Sequence, residues 1–437
     1  MNTANFGNWS KWGLSLYVLS LSALTSAQAP QPQPGMPQAN THLTRLENLG
    51  QRLFTDRNLS EPVGTACVSC HTANTGFANN HGSRIGVALG STPSSFGLRN
   101  AMSNAYNGFI PKFSFQISNG EVEAIGGHFW DGRADTLAAQ ALGPFLASAE
   151  MNNPNAAAVV KKVAASPYAD LMRAEFGNNV FLDSDSAYQK IGTAIAAFEL
   201  TPSFQSFSSK YDAFIQGKTT LTPNENRGMM LFMDTKKANC VSCHVMNPKS
   251  KDPKDSLFSE FSFYATGIPR NRAIAQNANP NFFDLGLCGP VRSKPALTAN
   301  VPVNISIDDF CGKFRMPSLR NVAERQAFMH NGFFKDLREV VGFYATVSSD
   351  PQRWYGPAGV PNDLPMAYLK NIVKDRPPFN RPRSAGPVLS PVEVDDIVAF
   401  LHTLSDGYTA APPLPQNPGP QPNQAPNVRP ANPFGPK

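Results

Sequence analysis

The sequence contains little charge and few cysteines for its length of 437 residues. Only 16% of the residues are charged, and the formal net charge is +6. No cluster of lysines and arginines is interleaved with aromatic residues, which excludes a nucleic-acid-binding protein. The 30 phenylalanines provide ample core material, so a chain that is disordered throughout is excluded as well. The length fits two or three domains, and each of the six cysteines needs its own explanation.

Long apolar runs are also missing beyond the N-terminus, where the pattern is that of an export signal. Lys11 precedes an apolar run over residues 12–24, and Ala27-Gln-Ala29 follows it. These features predict a secretory signal peptide over residues 1–29, cleaved after Ala29. An uncleaved membrane anchor is the alternative, but the run is short for a span. We therefore expect a periplasmic protein, without a membrane span after cleavage, in an oxidising compartment.

Proline-rich segments flank the central part of the chain. Residues 30–42 are rich in proline and glutamine, and ten prolines follow Tyr408. Segments of this composition form neither helices nor sheet ladders, so we expect a linker over 30–42 and a disordered tail over 409–437. A spacer is the favoured role for the tail, and partner binding is the alternative.

Two segments of the sequence repeat one another. A Gly-x-x-Leu-Phe-x-Asp stretch begins at Gly50 and again at Gly228, and each stretch leads into Cys-Val-Ser-Cys-His. An amphipathic helix followed by the same loop, twice, predicts two related domains.

The repeated Cys-x-x-Cys-His is the attachment sequence of c-type haem. Its two thiols add to the vinyl groups of one porphyrin, and the adjacent histidine ligates the iron. A shared zinc site is disfavoured because the two pairs are 173 residues apart, and a thioredoxin-type pair would need a βαβ pattern that the sequence lacks. We therefore predict two covalently bound haem c groups. The attachment residues would be Cys67, Cys70, Cys240 and Cys243, with His71 and His244 as proximal iron ligands.

Two cysteines, Cys288 and Cys311, remain outside these sites. Both lie next to glycine in the second half of the chain and would face oxidising conditions. We predict a disulfide between them that closes the intervening loop, and two buried free thiols are the alternative.

Several further motifs lie between and after the repeated segments. They are Phe129-Trp-Asp-Gly-Arg-Ala134, Ala141-Leu-Gly-Pro144, Glu150-Met151, Arg315-Met-Pro-Ser-Leu-Arg-Asn-Val322, Met329-His-Asn-Gly332 and the segment 391–407. With the paired Cys-x-x-Cys-His sites, they make residues 43–408 resemble the bacterial di-haem cytochrome c peroxidase/MauG family. The resemblance implies a mainly α fold of two cytochrome c-like domains related by internal duplication. The N-terminal, peroxidatic haem domain would cover 43–215, and the C-terminal, electron-transfer haem domain would cover 216–408.

The resemblance also implies that the N-terminal haem has a face open to hydrogen peroxide. Many cytochrome c peroxidases place a distal histidine shortly before an Arg-Asn pair, which is Arg99-Asn100 in this sequence. Residues 90–98 contain no histidine, and His81 is misplaced for that role, so we interpret His81 as a loop residue. The iron above His71 is therefore expected to be five-coordinate.

Three residues, Gln140, Pro144 and Glu150, fall at the family's active-site positions. Glu150 suits the acid–base role in peroxide cleavage, Gln140 would hold a bound oxygen species, and Pro144 would limit access. Without the resemblance, Glu150 would be interpreted as a surface carboxylate. The local sequence predicts a short helix over residues 134–142 that Gly143-Pro144 ends.

Trp130 and Trp354 are the tryptophans that would remain after signal cleavage. The resemblance implies that Trp130 lies between the haems and carries electrons or holes, and a buried aromatic anchor is the alternative. MauG has a second such tryptophan two residues before its second Cys-x-x-Cys-His. This sequence has Ala238 there, so we expect a different substrate or a different route to it.

The sixth ligand of the C-terminal haem is predicted from a helical pattern. Residues 337, 340, 341 and 344 form an apolar stripe at helical spacing, and tyrosine stands where peroxidases of the family have methionine. Tyr344 is the favoured ligand, as in MauG-like members. The alternative is a core tyrosine with Met316 or Met329 as ligand. Thioether ligation raises the potential, whereas tyrosinate favours ferric and higher states.

Family members also bind calcium between the domains, through the asparagine of the Arg-Asn pair and two backbone carbonyls. The corresponding residues are Asn100, Arg325 and Ala327, although threonine and proline are usual at the last two positions. Because any residue supplies a carbonyl, we predict a calcium ion here.

Three functions compete on this basis. The leading hypothesis is a MauG-like enzyme that reacts with hydrogen peroxide at the N-terminal haem and oxidises a protein or another large donor through the C-terminal haem. The second is a cytochrome c peroxidase that reduces hydrogen peroxide to water with electrons from a small redox protein. The third is a non-enzymatic di-haem electron carrier.

Overall fold

The computed structural model describes residues 43–409, except 119, 298–301 and 303. The predicted signal peptide, the linker over 30–42 and the tail beyond residue 409 lie outside the described residues. The described part is mainly helical, as predicted, with two short antiparallel strand pairs. Its helices are α1 (Arg45–Thr55), α2 (Cys67–Cys70), α3 (Leu137–Leu146), α4 (Ala156–Ala164), α5 (Ala169–Phe176), α6 (Ser184–Glu199), α7 (Lys210–Ile215), α8 (Pro223–Met233), α9 (Leu337–Thr346), α10 (Gln352–Tyr355) and α11 (Pro391–His402). The strands are β1 (Ser114–Ser118) paired with β2 (Glu121–Ile125), and β3 (Phe263–Tyr264) paired with β4 (Phe314–Arg315).

The helices that precede the two Cys-x-x-Cys-His segments begin with the same local signal. Thr44 caps α1 by accepting a hydrogen bond from Glu47 N, while Glu47 Oε2 accepts one from Thr44 N at 2.7 Å. Thr222 and Glu225 form the same capping box at the start of α8. Each box satisfies backbone N–H groups that the first helical turn leaves unpaired, and so fixes where the helix begins.

Each of these helices crosses a second helix at a glycine. A Cβ on Gly50 would lie 2.7 Å from the Ala194 carbonyl carbon of α6, and one on Gly228 would lie 2.5 Å from the Asp396 carbonyl carbon of α11. Only glycine permits such an approach of two backbones. Edge-to-face ring pairs lie beside the crossings: Phe54 with Phe198 at 5.5 Å, and Phe232 with Phe400 at 5.3 Å.

Two hydrophobic cores form around these crossings. The first contains buried residues between Leu49 and Phe204, and the second contains buried residues between Tyr211 and Leu404. A smaller cluster packs Phe115 of β1 against Phe310, which lies in the loop closed by the Cys288–Cys311 disulfide. Within the described ranges, no helix combines the length and the apolar character that a membrane span requires.

The helix expected over residues 134–142 has different bounds. It begins at Leu137, after the N-cap residue Thr136, and continues through Gly143-Pro144 to Leu146. The prediction that these two residues end the helix was wrong. Pro144 removes one N–H from the helical ladder, but the hydrogen bond from Ala147 N to Gly143 O, at 3.2 Å, keeps the following turn helical.

The two halves of the chain meet closely at one backbone crossing. A Cβ on Gly332 would lie 2.5 Å from the Gly86 carbonyl carbon, and both glycines have positive φ. Arg99 also crosses between the halves, with bidentate hydrogen bonds of 2.7 and 2.8 Å to Asp284 and one of 2.7 Å to Asp131. Because all three side chains are nearly inaccessible to solvent, breaking this ion pair would leave an uncompensated buried charge.

Candidate functional site

The first Cys-x-x-Cys-His forms one helical turn followed by the histidine. His71 N donates to Cys67 O at 3.0 Å, and the ring Nδ1 donates to Phe77 O at 2.8 Å. Burial lowers the pKa of His71, and the Phe77 hydrogen bond opposes this shift. A neutral imidazole with Nδ1 occupied presents Nε2 as its free ligand atom, which is the state that binds iron.

The second Cys-x-x-Cys-His has the same arrangement. His244 N donates to Cys240 O at 2.8 Å, and Nδ1 donates to Phe258 O at 3.0 Å. Burial lowers the pKa of His244 to about 4 despite the Phe258 hydrogen bond. Phe77 and Phe258 both adopt positive φ, at 58° and 52°, so the same unusual backbone turn holds each histidine.

A large cavity opens beside the second Cys-x-x-Cys-His. Cys240, Cys243 and His244 line it, and so does Tyr344 from α9. The Tyr344 hydroxyl has no hydrogen-bond partner among the described residues, and burial raises its pKa. The stripe on α9 is therefore observed as predicted, with Leu337, Val340 and Val341 in the same wall.

Both alternative ligands of the second iron line the same cavity. Met316 follows β4, and Met329 has a positive φ of 68° in the turn before α9. Tyr344 and the two methionines therefore line the same cavity as His244.

Two arginines in the cavity wall, the buried Arg315 and the partly buried Arg325, indicate whether a haem fits. Arg315 is 3% exposed and donates to Phe129 O at 3.1 Å, while Arg325 donates to Ser318 O at 2.7 Å. Neither forms an ion pair within the described ranges, and Arg325 Nε has no partner. Burial lowers the pKa of Arg315 to about 9 and of Arg325 to about 10. Desolvated guanidinium groups without an ion pair favour an anionic partner, and haem propionates are such partners.

The predicted peroxide-binding residues lie along α3 and the turn after it. Gln140 and Pro144 are one helical turn apart, and Met151, next to Glu150, donates its N–H to Pro144 O at 3.1 Å. The Glu150 side chain is exposed to solvent, although neighbouring protein atoms partly desolvate its carboxylate. Desolvation there raises its pKa, and the charge of Arg133 opposes the rise.

The loop that lacks a distal histidine packs against the turn that carries Glu150. Ser91 N donates to Glu150 O at 2.7 Å, and Ser95 Oγ donates to Ser148 O at 2.9 Å. His81 is held within its own loop, where Nδ1 donates to Leu89 O at 2.7 Å. This contact agrees with the interpretation of His81 as a loop residue.

Trp130 is buried between the two halves. Its Nε1 donates to Asn100 O at 2.8 Å, and its ring lies 6.5 Å from that of His330. His330 in turn stacks on Phe314 at 3.6 Å between ring centres. Trp130 also lines the cavity of the second site, so its indole contacts segments from both halves.

The residues predicted to bind calcium meet in part. Asn100 Nδ2 donates to Ala327 O at 2.9 Å and to Met329 O at 3.4 Å, whereas Arg325 forms no hydrogen bond with this group among the described residues. Coordination of a cation by Asn100 Oδ1 and the Ala327 carbonyl would have to replace this donor–acceptor contact.

Sequence reasoning missed the partners of the buried arginines. Arg99 and Arg315 stand in motifs shared with the family, but nothing in their local sequence indicates the contact of Arg99 with Asp284 or the place of Arg315 in the cavity wall. Asn104 and Glu199, a buried polar pair joined by a 2.7 Å hydrogen bond, also carried no local signal. An aspartate or glutamate far along the chain acquires such a partner only through the fold.

Two attachment segments, each ending in a partly buried histidine with its ligand nitrogen free, define a c-type di-haem protein. Comparison with known proteins agrees. The family model described as "Di-haem cytochrome c peroxidase" matches residues 44–220. The methylamine utilization protein MauG of Paracoccus denitrificans is 32% identical over 405 residues, covering 89% of this chain and 96% of that protein.

Two further relatives support the same conclusion. Cytochrome c551 peroxidase of Nitrosomonas europaea is 25% identical over 379 residues, which is 84% of this chain and 93% of that protein. The crystal structure of the diheme peroxidase BthA from Burkholderia thailandensis is 38% identical, with a TM-score of 0.76 over 84% of this chain and 87% of that one. The chain belongs to the di-haem cytochrome c peroxidase/MauG family, and it is a haem peroxidase-type oxidoreductase whose family implies two haem c cofactors.

Proposed function

We propose that this protein is a MauG-like member of the family. His71 would hold the N-terminal haem, which would supply the iron that reacts with hydrogen peroxide, and His244 with Tyr344 would hold the C-terminal haem, which would share the oxidising equivalents. A protein or another large donor is then oxidised. The observation that carries this proposal is Tyr344, whose unpartnered hydroxyl lines the second cavity. The histidine-free loop on Glu150 supports the open face of the first site.

The haems, when bound, supply the iron that exchanges electrons with peroxide and with the donor. The chain's own residues handle protons and position. Glu150, with its raised pKa, accepts a proton from one peroxide oxygen and returns it to the leaving oxygen. Gln140 holds the oxygen species by hydrogen bonding, and Pro144 narrows the entrance.

Trp130 is the electron relay between the two sites in this proposal. Its Nε1 donates to a backbone carbonyl, which is a poor proton acceptor, so the indole loses an electron while keeping its proton. The hydrogen bond to Asn100 and the ring contact with His330 hold the Trp130 indole in place.

We also propose a domain organisation, a cellular location and further ligands for the protein. The parallel capping boxes, glycine crossings and histidine–carbonyl contacts support two haem domains, 43–215 and 216–408, related by duplication. We place the mature enzyme in the periplasm, and we retain calcium near Asn100 and Ala327 as a further ligand. Its partners would be hydrogen peroxide and a redox protein or protein substrate.

A cytochrome c peroxidase is the second candidate, because Met316 and Met329 line the same cavity as Tyr344. A thioether ligand would make the second haem a high-potential entry point for electrons from a small redox protein.

Spectra of the ferric holoprotein, before and after hydrogen peroxide, test the proposal. We expect one high-spin and one low-spin haem, and a peroxide-induced state that changes both sets of bands. Tyr344→Met should convert the low-spin spectrum to that of methionine ligation, whereas the matched variants Met316→Leu and Met329→Leu should leave it unchanged. An unchanged spectrum in Tyr344→Met, or its loss in either leucine variant, would favour the peroxidase candidate. Two low-spin haems that ignore peroxide would indicate an electron carrier.

A further inference from the structure

Glu199, the last residue of α6, is a buried carboxylate that the proposed mechanism does not use. It is 2% exposed, and its Oε1 accepts a hydrogen bond from Asn104 Nδ2 at 2.7 Å. Its Oε2 has no partner among the described residues. Burial raises the pKa of Glu199 to about 8, and the Asn104 hydrogen bond opposes the rise. A carboxyl in this environment exchanges its proton near neutral pH instead of remaining ionised.

The pair is connected to the first proximal histidine through one carbonyl. Phe77 O accepts hydrogen bonds from His71 Nδ1 at 2.8 Å and from Asn104 N at 3.4 Å. Burial raises the pKa of the free Cys67 thiol, and the Glu199 charge adds to that rise, so Glu199 lies close to the attachment segment. With the Phe77 contact, this places the pair on the proximal side of the first site.

The second half has the same backbone arrangement without the polar pair. Phe258 O accepts from His244 Nδ1 at 3.0 Å and from Leu319 N at 3.3 Å, so Leu319 stands where the first half has Asn104. The helix crossings at Gly50 and Gly228 show which residue of the second half corresponds to Glu199. A Cβ on Gly50 would lie 2.8 Å from Phe198 Cβ, and one on Gly228 would lie 2.9 Å from Phe400 Cβ.

Glu199 and Leu401 are the residues that follow these two phenylalanines. Leu319 and Leu401 both line the cavity beside His244. The surroundings of His71 and His244 thus share their backbone contacts. They differ in side chains, because Asn104 and Glu199 near His71 are replaced by Leu319 and Leu401 near His244.

The helices packed against α6 carry Arg45, Glu47 and Arg52 on α1 and Lys161 and Lys162 on α4, and Asp56 follows α1 while Tyr168 precedes α5. The pKa of Glu199 is nevertheless set by burial and by the Asn104 hydrogen bond, without a shift from any of these groups. The Tyr168 hydroxyl donates to Asp56 at 2.6 Å, which occupies both groups. No lysine, arginine or histidine forms an ion pair with Glu199 in the described part of the chain. A change of charge at a nearby haem would therefore act on Glu199 without an intervening counter-ion.

We propose that Glu199 is a proton-binding group coupled to the haem attached at Cys67 and Cys70. When that haem gains one electron from a donor, Glu199 binds one proton from solvent, and when the electron leaves, the proton is released. The second haem, beside Leu319 and Leu401, lacks this coupling. The inference rests on the proposed haem attachment, and Glu199 exchanges its proton without touching peroxide.

Redox titration of the holoenzyme at several pH values, from about pH 6 to about pH 10, tests the coupling. In the wild type, the midpoint potential of the N-terminal haem should fall as pH rises through the pKa of Glu199, because the ionised carboxylate favours the oxidised haem. Glu199→Gln should match the wild type at low pH and have the higher potential at high pH. The C-terminal haem should be the same in both proteins. Glu121→Gln, which removes an exposed carboxylate on β2, is the control and should change neither haem.

A second variant keeps the test independent of any folding defect in Glu199→Gln. Asn104→Ala retains the carboxylate but removes its hydrogen-bond donor, so the pH range of the effect should move upward. If Glu199→Gln shifts the potential equally at every pH, or not at all, the coupling is overturned and Glu199 is a structural residue. Fewer than two covalent haems in the mass of the wild type would instead refute the proposed function.

Discussion

Replacing Gly228 with alanine should destabilise the half of the protein that carries the second Cys-x-x-Cys-His. The new Cβ would lie 2.5 Å from the Asp396 carbonyl carbon and 2.9 Å from Phe400 Cβ, whereas ordinary contact begins near 3.4 Å. Helices α8 and α11 would have to separate by roughly 1 Å, which overpacking studies place at about 1–3 kcal/mol.

Two further contributions decide the net change in the free energy of unfolding. Alanine is the better helix former, which offsets about 1 kcal/mol of the destabilisation. Separation of the helices also weakens the contact of Phe232 with Phe400, and such ring pairs contribute about 0.5–1.5 kcal/mol. We therefore expect a net loss of about 1–3 kcal/mol, which lowers the melting temperature of a half this size by roughly 2–12 °C.

Gly342→Ala is the matched control for this substitution. Gly342 lies within α9, its φ is not in the left-handed region, and nothing lies within 4 Å of the position its Cβ would take. Alanine there should stabilise the protein by up to about 1 kcal/mol. Scanning calorimetry of the two holoprotein variants measures both effects. A Gly228→Ala protein that melts at or above the wild-type temperature would refute the close-crossing explanation.

Three further sets of substitutions, at Glu150, at Tyr344 and at the Cys288–Cys311 disulfide, have expected outcomes. Glu150→Gln should slow the reaction with hydrogen peroxide by roughly 10²–10⁴-fold in stopped-flow measurements, and a loss below threefold would contradict the acid–base role. Because the pKa of Glu150 is raised and its ionised form is the base, the wild-type rate should fall as pH drops through that raised pKa, and the glutamine variant should lack this limb. Tyr344→Phe should abolish the low-spin ferric spectrum of the second haem, and its persistence would indicate methionine ligation. Cys288→Ser with Cys311→Ser should lower stability by about 3 kcal/mol in denaturant titration, because the disulfide joins residues 23 apart, and an unchanged midpoint would show that the loop is held by other contacts.

Short-range patterns predicted a large part of the fold and of the candidate site. The apolar stripe that ends at Tyr344 predicted α9, since side chains three and four residues apart share one helix face. The repeated attachment sequence predicted two histidines in equivalent settings, and the structure gives His71 and His244 the same carbonyl contact. Both features depend on residues within a few positions of one another.

Other features depend on residues that only the fold brings together. Arg99 and Asp284 are 185 positions apart, and no local period connects them. Helix α3 also continues through Pro144 only because of its surroundings in the fold, since the helix propensity of proline favours a break there. Asn104 and Glu199 are 95 positions apart, and each alone is typical of a surface residue. A single sequence contains no signal for such pairs.

The crossing of Gly86 over Gly332 constrains how this architecture can change. A side chain on either glycine would clash with the backbone of the other half, so neither position can drift alone. Exchanging one half for that of a relative should therefore yield a working enzyme only if the segments around both glycines come from the same parent. The loop that packs against Glu150 and the turn that leads into α9 should therefore tolerate replacement only when both are replaced together.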